Sequence, residues 1–444
     1  MTTSHPSTDT ADIVGDATAP VGLFRNRNYL WLWASSAISC LGDYFTLIAM
    51  PWLVLTLTKD AATLGTVMAL ESLPRAAFML VSGGFADRYS ARKVLLVSRA
   101  IFMLALIALA LDLYLGRLHL GHLYGFAFVF GLLTAFALPA SQALLPQLVE
   151  RSQIQQGNSA MMGSQQLIQL FAPVLAGLLI WGMPSISAPA GAADLSRMAL
   201  AFAVNAAAIF IALLLLLQLR MRPALAADDA PPAEVRLTDG FRYLWRDRGL
   251  RIATLYMSCV GFFAIGPLLT VIPQIAEQRL HNGALSYGML YAVNGLGSLL
   301  GFACGGMLPK PAQRKLGLVL FSADLLAGLC VFWLGRSTSF FSASSALALI
   351  GVSAAYGGVL ALSWIQERVP PALAGRVLGL VMFAVLGLTP VSMTLGGLVV
   401  AHASLQVLLS VSGAAIASFA LLGLLSPRIN RFGAYASPPL PEAA

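Results

Sequence analysis

Long apolar runs of nearly uniform length, broken by short polar or basic punctuation, dominate this chain from residue 29 to residue 425. A helix needs about 20 apolar residues to cross roughly 30 Å of bilayer hydrocarbon, and twelve runs meet that measure. They fall near 29–57, 62–85, 94–115, 120–145, 160–182, 198–219, 251–274, 284–308, 314–335, 341–364, 375–399 and 402–425. Each is predicted as an α-helix, because hydrocarbon offers no water to unpaired backbone groups and the short alternating pattern of a barrel strand is missing. The fold class is therefore an all-α polytopic membrane protein.

The polar punctuation predicts the organisation. Residues 1–23 carry Asp9, Asp12 and Asp16 but no Lys, Arg or apolar core, so they read as a disordered tail and not as a signal peptide. Six spans follow in 24–219, then a polar linker, 220–250, then six more spans in 251–427 and a tail, 428–444. The linker begins as the flexible AADDAPPAE and continues with Phe241, Tyr243, Leu244 and Trp245 set among arginines, the composition of an interfacial helix. The stretch 183–197 reads as an irregular loop.

Composition removes several classes of function. Hydrophobic residues make up 58% of the chain and charged ones 10%, against about 25% charged in soluble domains, so a soluble enzyme is excluded. The four cysteines sit singly in apolar segments without a histidine cluster, which argues against structural disulfides and a metal site. GxxxxGK[ST] is absent, so no ATP site is expected. The net charge of +8 does not form a basic stripe for nucleic acid. It is a topology signal instead. With both termini in the cytoplasm, inner segments hold 20 basic residues and outer segments five, with Arg75 and Arg99 inside spans.

The halves echo each other. Gly83, Gly84, Arg88, Arg92 and Lys93 of GGFADRYSARK return 222 positions later as Gly305, Gly306, Lys310, Arg314 and Lys315, and Pro51 returns as Pro273. A match at one offset supports duplicated halves. Asp87 can accept from Arg88 or Arg92 or face a helix amino end, a contact suited to a latch made in one state and broken in another. The same residues could also serve only to fix topology.

Segment 83–93 resembles the loop motif between the second and third helices of the major facilitator superfamily. Gly42-Asp43, Pro51-Trp52, Leu73-Pro74, Ala86-Asp87-Arg88, Pro173 to Gly177 and Gly375-Arg376-Val377-Leu378-Gly379 resemble the branch of bacterial exporters that includes macrolide efflux proteins and the enterobactin exporter. The resemblance implies two pseudo-symmetric six-helix bundles around a cavity exposed alternately to either side of a bacterial cytoplasmic membrane. It also implies outward export driven by proton entry, and it adds Arg376 to the latch set of Gly83, Asp87, Arg88, Arg92 and Lys93. The second copy departs from the motif, with Pro309 in place of Asp87.

Charges inside spans are costly and are functional candidates by default. Asp43 has no basic residue within one helical turn and is the first candidate for proton coupling. Its alternatives are a partner on another helix or hydration near the surface. Glu71 and Arg75 have the spacing of an intrahelical ion pair, which can be structural or part of the coupling. Asp324 suits packing as well as coupling, and Arg99 is expected to snorkel to the inner interface. Gln165, Gln169, Asn205, Tyr256, Asn294 and Tyr356 are candidates to line the substrate cavity or to join helices. Gly297, Gly301 and Gly305 offer a smooth packing face along which small movements cost little, and Pro51, Pro74, Pro139, Pro173, Pro273 and Pro390 are candidate kinks.

The resulting expectation is a monomeric secondary active exporter of small amphiphilic compounds, of drug or siderophore type, exchanging them for protons. It would carry no cofactor and perform no covalent chemistry, and its partners would be substrate, protons and membrane lipids. Two other readings keep the fold: a proton-coupled uptake symporter of a metabolite, and an uncoupled lipid or solute transporter.

Overall fold

The computed structural model describes residues 23–150, 153–182, 190–219, 237–280, 283–430 and 432–435. The expected amino-terminal tail, the flexible part of the linker and the end of the carboxy-terminal tail lie outside these residues. The helices are α1 Arg27–Thr58, α2 Ala61–Tyr89, α3 Ala91–Tyr114, α4 Leu120–Leu148, α5 Ile154–Gly182, α6 Ala190–Leu217 and α7 Leu237–Arg246. They continue with α8 Arg248–Arg279, α9 Gly283–Met307, α10 Gln313–Leu334, α11 Phe340–Arg368, α12 Pro371–Leu386, α13 Thr389–His402 and α14 Leu405–Leu425.

Among the described residues, eleven helical stretches, counting α12 and α13 together from Arg376 to His402, are long and apolar enough to cross a membrane. The 29-residue α2, whose apolarity Glu71 and Arg75 dilute, is the twelfth crossing. Two boundaries differ from expectation. Helix α6 begins at Ala190, so the second half of the expected loop 183–197 is helical. The eleventh span is not merely kinked at Pro390 but interrupted: α12 ends at Leu386, and α13 starts with Pro390 in its first turn. A missing backbone donor costs nothing at that position. Pro51, Pro74, Pro139, Pro173 and Pro273 lie inside continuous helices.

Short polar residues start the helices. Asn26 caps α1 by accepting from the Asn28 and Tyr29 amides, and Asp247 caps α8 by accepting from the Leu250 amide at 3.0 Å. Asp60 caps α2, accepting from the Thr63 hydroxyl at 2.6 Å and from the Thr63 and Ala62 amides at 2.9 and 3.1 Å. Those bonds, the hydroxyl first, hold the Asp60 carboxyl below its ordinary range. In α7, Tyr243 and Leu244 are buried while Phe241 and Trp245 are exposed with rings stacked 5.7 Å apart, as an interfacial helix requires.

The duplication is visible in helix lengths. Helices α3 and α10 begin 222 positions apart but have 24 and 22 residues, so α4 and α11, each of 29 residues, begin and end 220 apart. Helices α1 to α6 form one bundle and α8 to α14 the other. Among the described residues, buried apolar side chains form three clusters. One large core includes Ile48, Leu64, Ala176 and Phe202 of the first bundle with Ile272, Ala284, Tyr287 and Met393 of the second. At the end of the molecule bearing both termini, each bundle has its own core instead, one around Leu32, Leu95 and Leu144 and the other around Leu250, Phe321 and Trp364. Among the described residues the bundles thus share a core at the far end and have separate cores at the end that carries most of the arginines.

Glycines make the seal. A Cβ on Gly65 of α2 would lie 2.6 Å from the Met393 carbonyl oxygen of α13, and one on Gly397 would lie 2.6 Å from the Ala61 carbonyl. The second contact pairs α5 with α9, where a Cβ on Gly177 would lie 2.7 Å from the Ala284 carbonyl and one on Gly288 would overlap Pro173. Without apolar side chains to expel from water, such close backbone approach is what holds membrane helices together. The stripe Gly297, Gly301 and Gly305, by contrast, packs on Ala348, Val352 and Val359 of α11 within one bundle and does not form the moving seam.

Candidate functional site

Three places bring intramembrane polar groups together. The first lies where the bundles meet. Glu71 of α2 is half-buried and makes no ion pair or hydrogen bond among the described residues, and it lies within electrostatic range of Tyr287 and Tyr291 of α9. Those two rings pack edge to face at 5.4 Å, and the Tyr287 hydroxyl donates to the Leu47 carbonyl of α1 at 3.4 Å. Tyr44 of α1 lies within range of Tyr291. The expected Glu71–Arg75 ion pair is not formed: the Arg75 guanidinium points instead to the Ser72 hydroxyl, 3.5 Å away. A carboxylate of one bundle is therefore within electrostatic range of phenols of the other.

The second place is a cavity of about 250 Å³ inside the first bundle, lined by α1, α3, α4, α5 and α6. Asp43 and Arg99 meet there at 3.2 Å, so Arg99 does not snorkel away and Asp43 is not the lone carboxylate that its own helix suggested. The pair is not buried, with Asp43 40% and Arg99 21% exposed, and both groups line the cavity. Ser35, Ser39, Ser98, Thr134, Ser141 and Gln165 complete a polar wall.

The third is a cavity of about 210 Å³ in the second bundle, between α8, α10, α11 and α12. It is the structural copy of the second. Ser35, Ser39 and Asp43 recur 222 positions later as Met257, Gly261 and Ile265, and Ser98, Arg99 and Phe102 recur as Leu320, Phe321 and Asp324. Thr134, Ala137, Leu138 and Ser141 recur 220 later as Ala354, Gly357, Gly358 and Ala361. The wall has become apolar and aromatic. Its carboxylate, Asp324, accepts a 2.7 Å hydrogen bond from the Tyr256 hydroxyl.

The other expected lining residues divide. Gln169 packs at the seam against Gly295 of α9. Asn205 is fully buried and donates to the Thr46 hydroxyl at 2.7 Å, tying α6 to α1, so it does not line a cavity. Asn294 donates to the Leu347 carbonyl at 3.1 Å and joins α9 to α11. Tyr356 packs against the second bundle's own core.

Of the latch residues, the side chains of Gly83, Asp87 and Arg88 lie outside the described ones. Arg92 donates to the Leu217 carbonyl at 3.0 Å, Lys93 is exposed, and Arg376 packs on Gly240 of α7. In the second copy, Lys310 pairs with Glu367 of its own bundle.

Sequence reasoning missed one node there. Asp247 and Arg368, 0% and 7% exposed, form a bidentate pair at 2.7 and 3.0 Å. Arg368 also donates to the Tyr435 carbonyl at 2.8 Å, and the Trp364 indole donates to the Gly433 carbonyl. The carboxy-terminal segment is thereby clamped under the third cavity, with Phe432 in its lining. The available signal was Asp247 itself, a capping residue directly before an apolar helix.

The comparisons with known proteins agree with this architecture. The enterobactin exporter EntS of Escherichia coli O1:K1 / APEC is 28% identical over 347 residues, which cover 75% of this chain and 76% of that protein. In fold, a crystal structure of the nucleoside transporter NupG superposes with a TM-score of 0.71 at 14% identity, covering 90% of this chain and all of that one. A D-xylose-proton symporter gives 0.69 at 16% identity, with 89% and 96% covered. The Major Facilitator Superfamily profile matches residues 32–391, and the chain is accordingly a multi-pass membrane transporter that belongs to that superfamily.

Proposed function

We propose that the protein is a secondary active exporter that exchanges small amphiphilic organic compounds, of drug or siderophore type, for protons. The observation that carries this reading is the cleft implied by the cores: among the described residues the bundles share one core at the far end and have separate cores at the arginine-rich end. The basic bias supports a cytoplasmic position for the arginine-rich end and both termini. The cleft then loads from the cell interior, as an exporter requires. The similarity to an exporter of the siderophore enterobactin supports the direction and the amphiphilic class.

In this mechanism a proton arriving from outside and the substrate compete for the same carboxylates. Glu71 takes first place, because it makes no ion pair or hydrogen bond among the described residues and lies within electrostatic range of the tyrosines across the seam that must open. Asp43 acts with Arg99 as a switchable pair: protonation of the acid frees the guanidinium and changes the potential of the cavity. Arg75, one turn from Glu71, tunes that site. Substrate release requires the Gly65–Gly397, Gly177–Ala284 and Gly288–Pro173 contacts to part while the terminal ends close, the rocking motion expected of paired repeats. The protein acts as a monomer, since one chain holds both halves of the cleft.

The test is efflux from intact cells loaded with a panel that includes a macrolide and a catecholate siderophore. Wild type should lower the internal level of at least one compound, and Glu71→Gln should not, at equal membrane abundance. Accumulation of the compound by wild type would overturn the exporter reading in favour of uptake.

A further inference from the structure

The cavity of the second bundle lies outside the proposed coupling machinery, and its chemistry calls for an occupant. A membrane-embedded carboxylate needs a partner. In the first bundle Arg99 supplies one to Asp43. In the second, the position equivalent to Arg99 is Phe321, and Asp324 has only the Tyr256 hydroxyl, which engages Oδ2 and leaves Oδ1 without a hydrogen bond among the described residues.

The walls were changed in the same direction. Ala137 and Leu138 of the first copy correspond to Gly357 and Gly358 in the second, and a Cβ on Gly358 would meet nothing within 4 Å. The acid is not packed over: it borders a cavity of about 210 Å³, comparable to the one of about 250 Å³ beside Asp43. Around that room stand aromatic rings: Tyr256 edge-on to Phe321 at 4.7 Å, and Trp364 edge-on to Phe432 at 5.1 Å. One carboxylate oxygen, aromatic side chains in the lining and an apolar floor are the elements that bind an organic ammonium.

We infer that this cavity is a binding site for a small lipophilic organic cation, held by the Asp324 carboxylate and the surrounding aromatic rings. Its volume of about 210 Å³ falls below the roughly 300 Å³ at which drug-sized pockets begin, so the ligand is of the order of one aromatic ring with an ammonium head. Phe432, clamped by way of Arg368 and Trp364, closes the terminal side. The site is separate from Glu71 and Asp43, and binding there does not depend on the direction of transport.

The experiment is calorimetric titration of the purified full-length protein with benzyltrimethylammonium, which cannot exchange its charge for a proton, and with neutral neopentylbenzene as its isostere. Saturable binding of one cation per chain is expected, with the isostere at least about tenfold weaker, since a charged partner is worth some 1.5–3 kcal/mol. Asp324→Asn should weaken the cation by about tenfold or more. Gly358→Leu adds a side chain at the cavity wall and keeps the carboxylate, and it should weaken the cation as much, which keeps the test decisive if the first variant does not fold. Absence of saturable binding to folded wild type overturns the inference, as does a loss of less than about tenfold in a folded Asp324→Asn or Gly358→Leu protein.

Discussion

The two halves tie the start of their first helix to the end of their fourth in different ways. In the first bundle the Asn26 side-chain amide donates to the Leu148 carbonyl at 2.9 Å. At the corresponding place in the second, Asp247 and Arg368 make a buried bidentate ion pair. The cavities above diverge in the opposite sense, the first polar with its acid paired to Arg99, the second apolar with its acid bonded only to a tyrosine. Duplication kept the positions of the walls and straps, within the two-residue difference between α3 and α10. It left the chemistry at each position free to change, so charge was withdrawn from one cavity and concentrated in the strap beneath it.

The strap is where that contrast breaks most sharply. Removing one partner of a buried pair leaves the other uncompensated, at a cost of about 3–5 kcal/mol. Arg368→Ala should therefore destabilise the second bundle by that amount in denaturant melts, releasing the segment around Tyr435 to proteolysis. Asn26→Ala in the first bundle loses a neutral cap and strap, about 1 kcal/mol. Equal losses for the two would remove the asymmetry.

Between these lies the seal. Gly65→Leu or Gly397→Leu inserts a side chain where backbones touch, and overpacking costs about 1–3 kcal/mol. The cost falls only on the state with the far end closed. Cysteines placed near Gly177 should become reactive from the far side in these variants, and unchanged reactivity would mean that the seam is not the gate.

The smallest effect is expected at Asp60. Its carboxyl is held below the ordinary value by the Thr63 hydroxyl and two amides. A depressed native value means that the cap contributes above the ordinary value of about 3.9 and is lost as pH falls through the depressed one. Asp60→Ala should cost about 1 kcal/mol near neutrality, whereas Asp60→Asn keeps the cap and removes the acid dependence. Melts between pH 2 and pH 7 separate the two.

The spans and the repeat were legible because bilayer thickness and the offset of GGFADRYSARK act on consecutive residues. Partner choice was not. Asp43 and Arg99 are 56 positions apart and meet only because α1 and α3 share a wall, whereas Glu71 and Arg75 have ideal spacing yet turn apart. Asn205 and Asn294 have the polarity of cavity residues but are consumed by helix joints. Tyr44, Tyr287 and Tyr291 looked like ordinary span residues, since their place at the seam depends on how the bundles dock.

The most direct measurement is substrate flux in proteoliposomes under an imposed pH gradient, using the compound identified by cell efflux. In vesicles with an acidic lumen, wild type should accumulate the compound against its gradient as protons leave, and a protonophore should abolish the accumulation. Glu71→Gln should only equilibrate it. Accumulation driven by an alkaline lumen, or flux by wild type that ignores the gradient, would contradict proton-driven export.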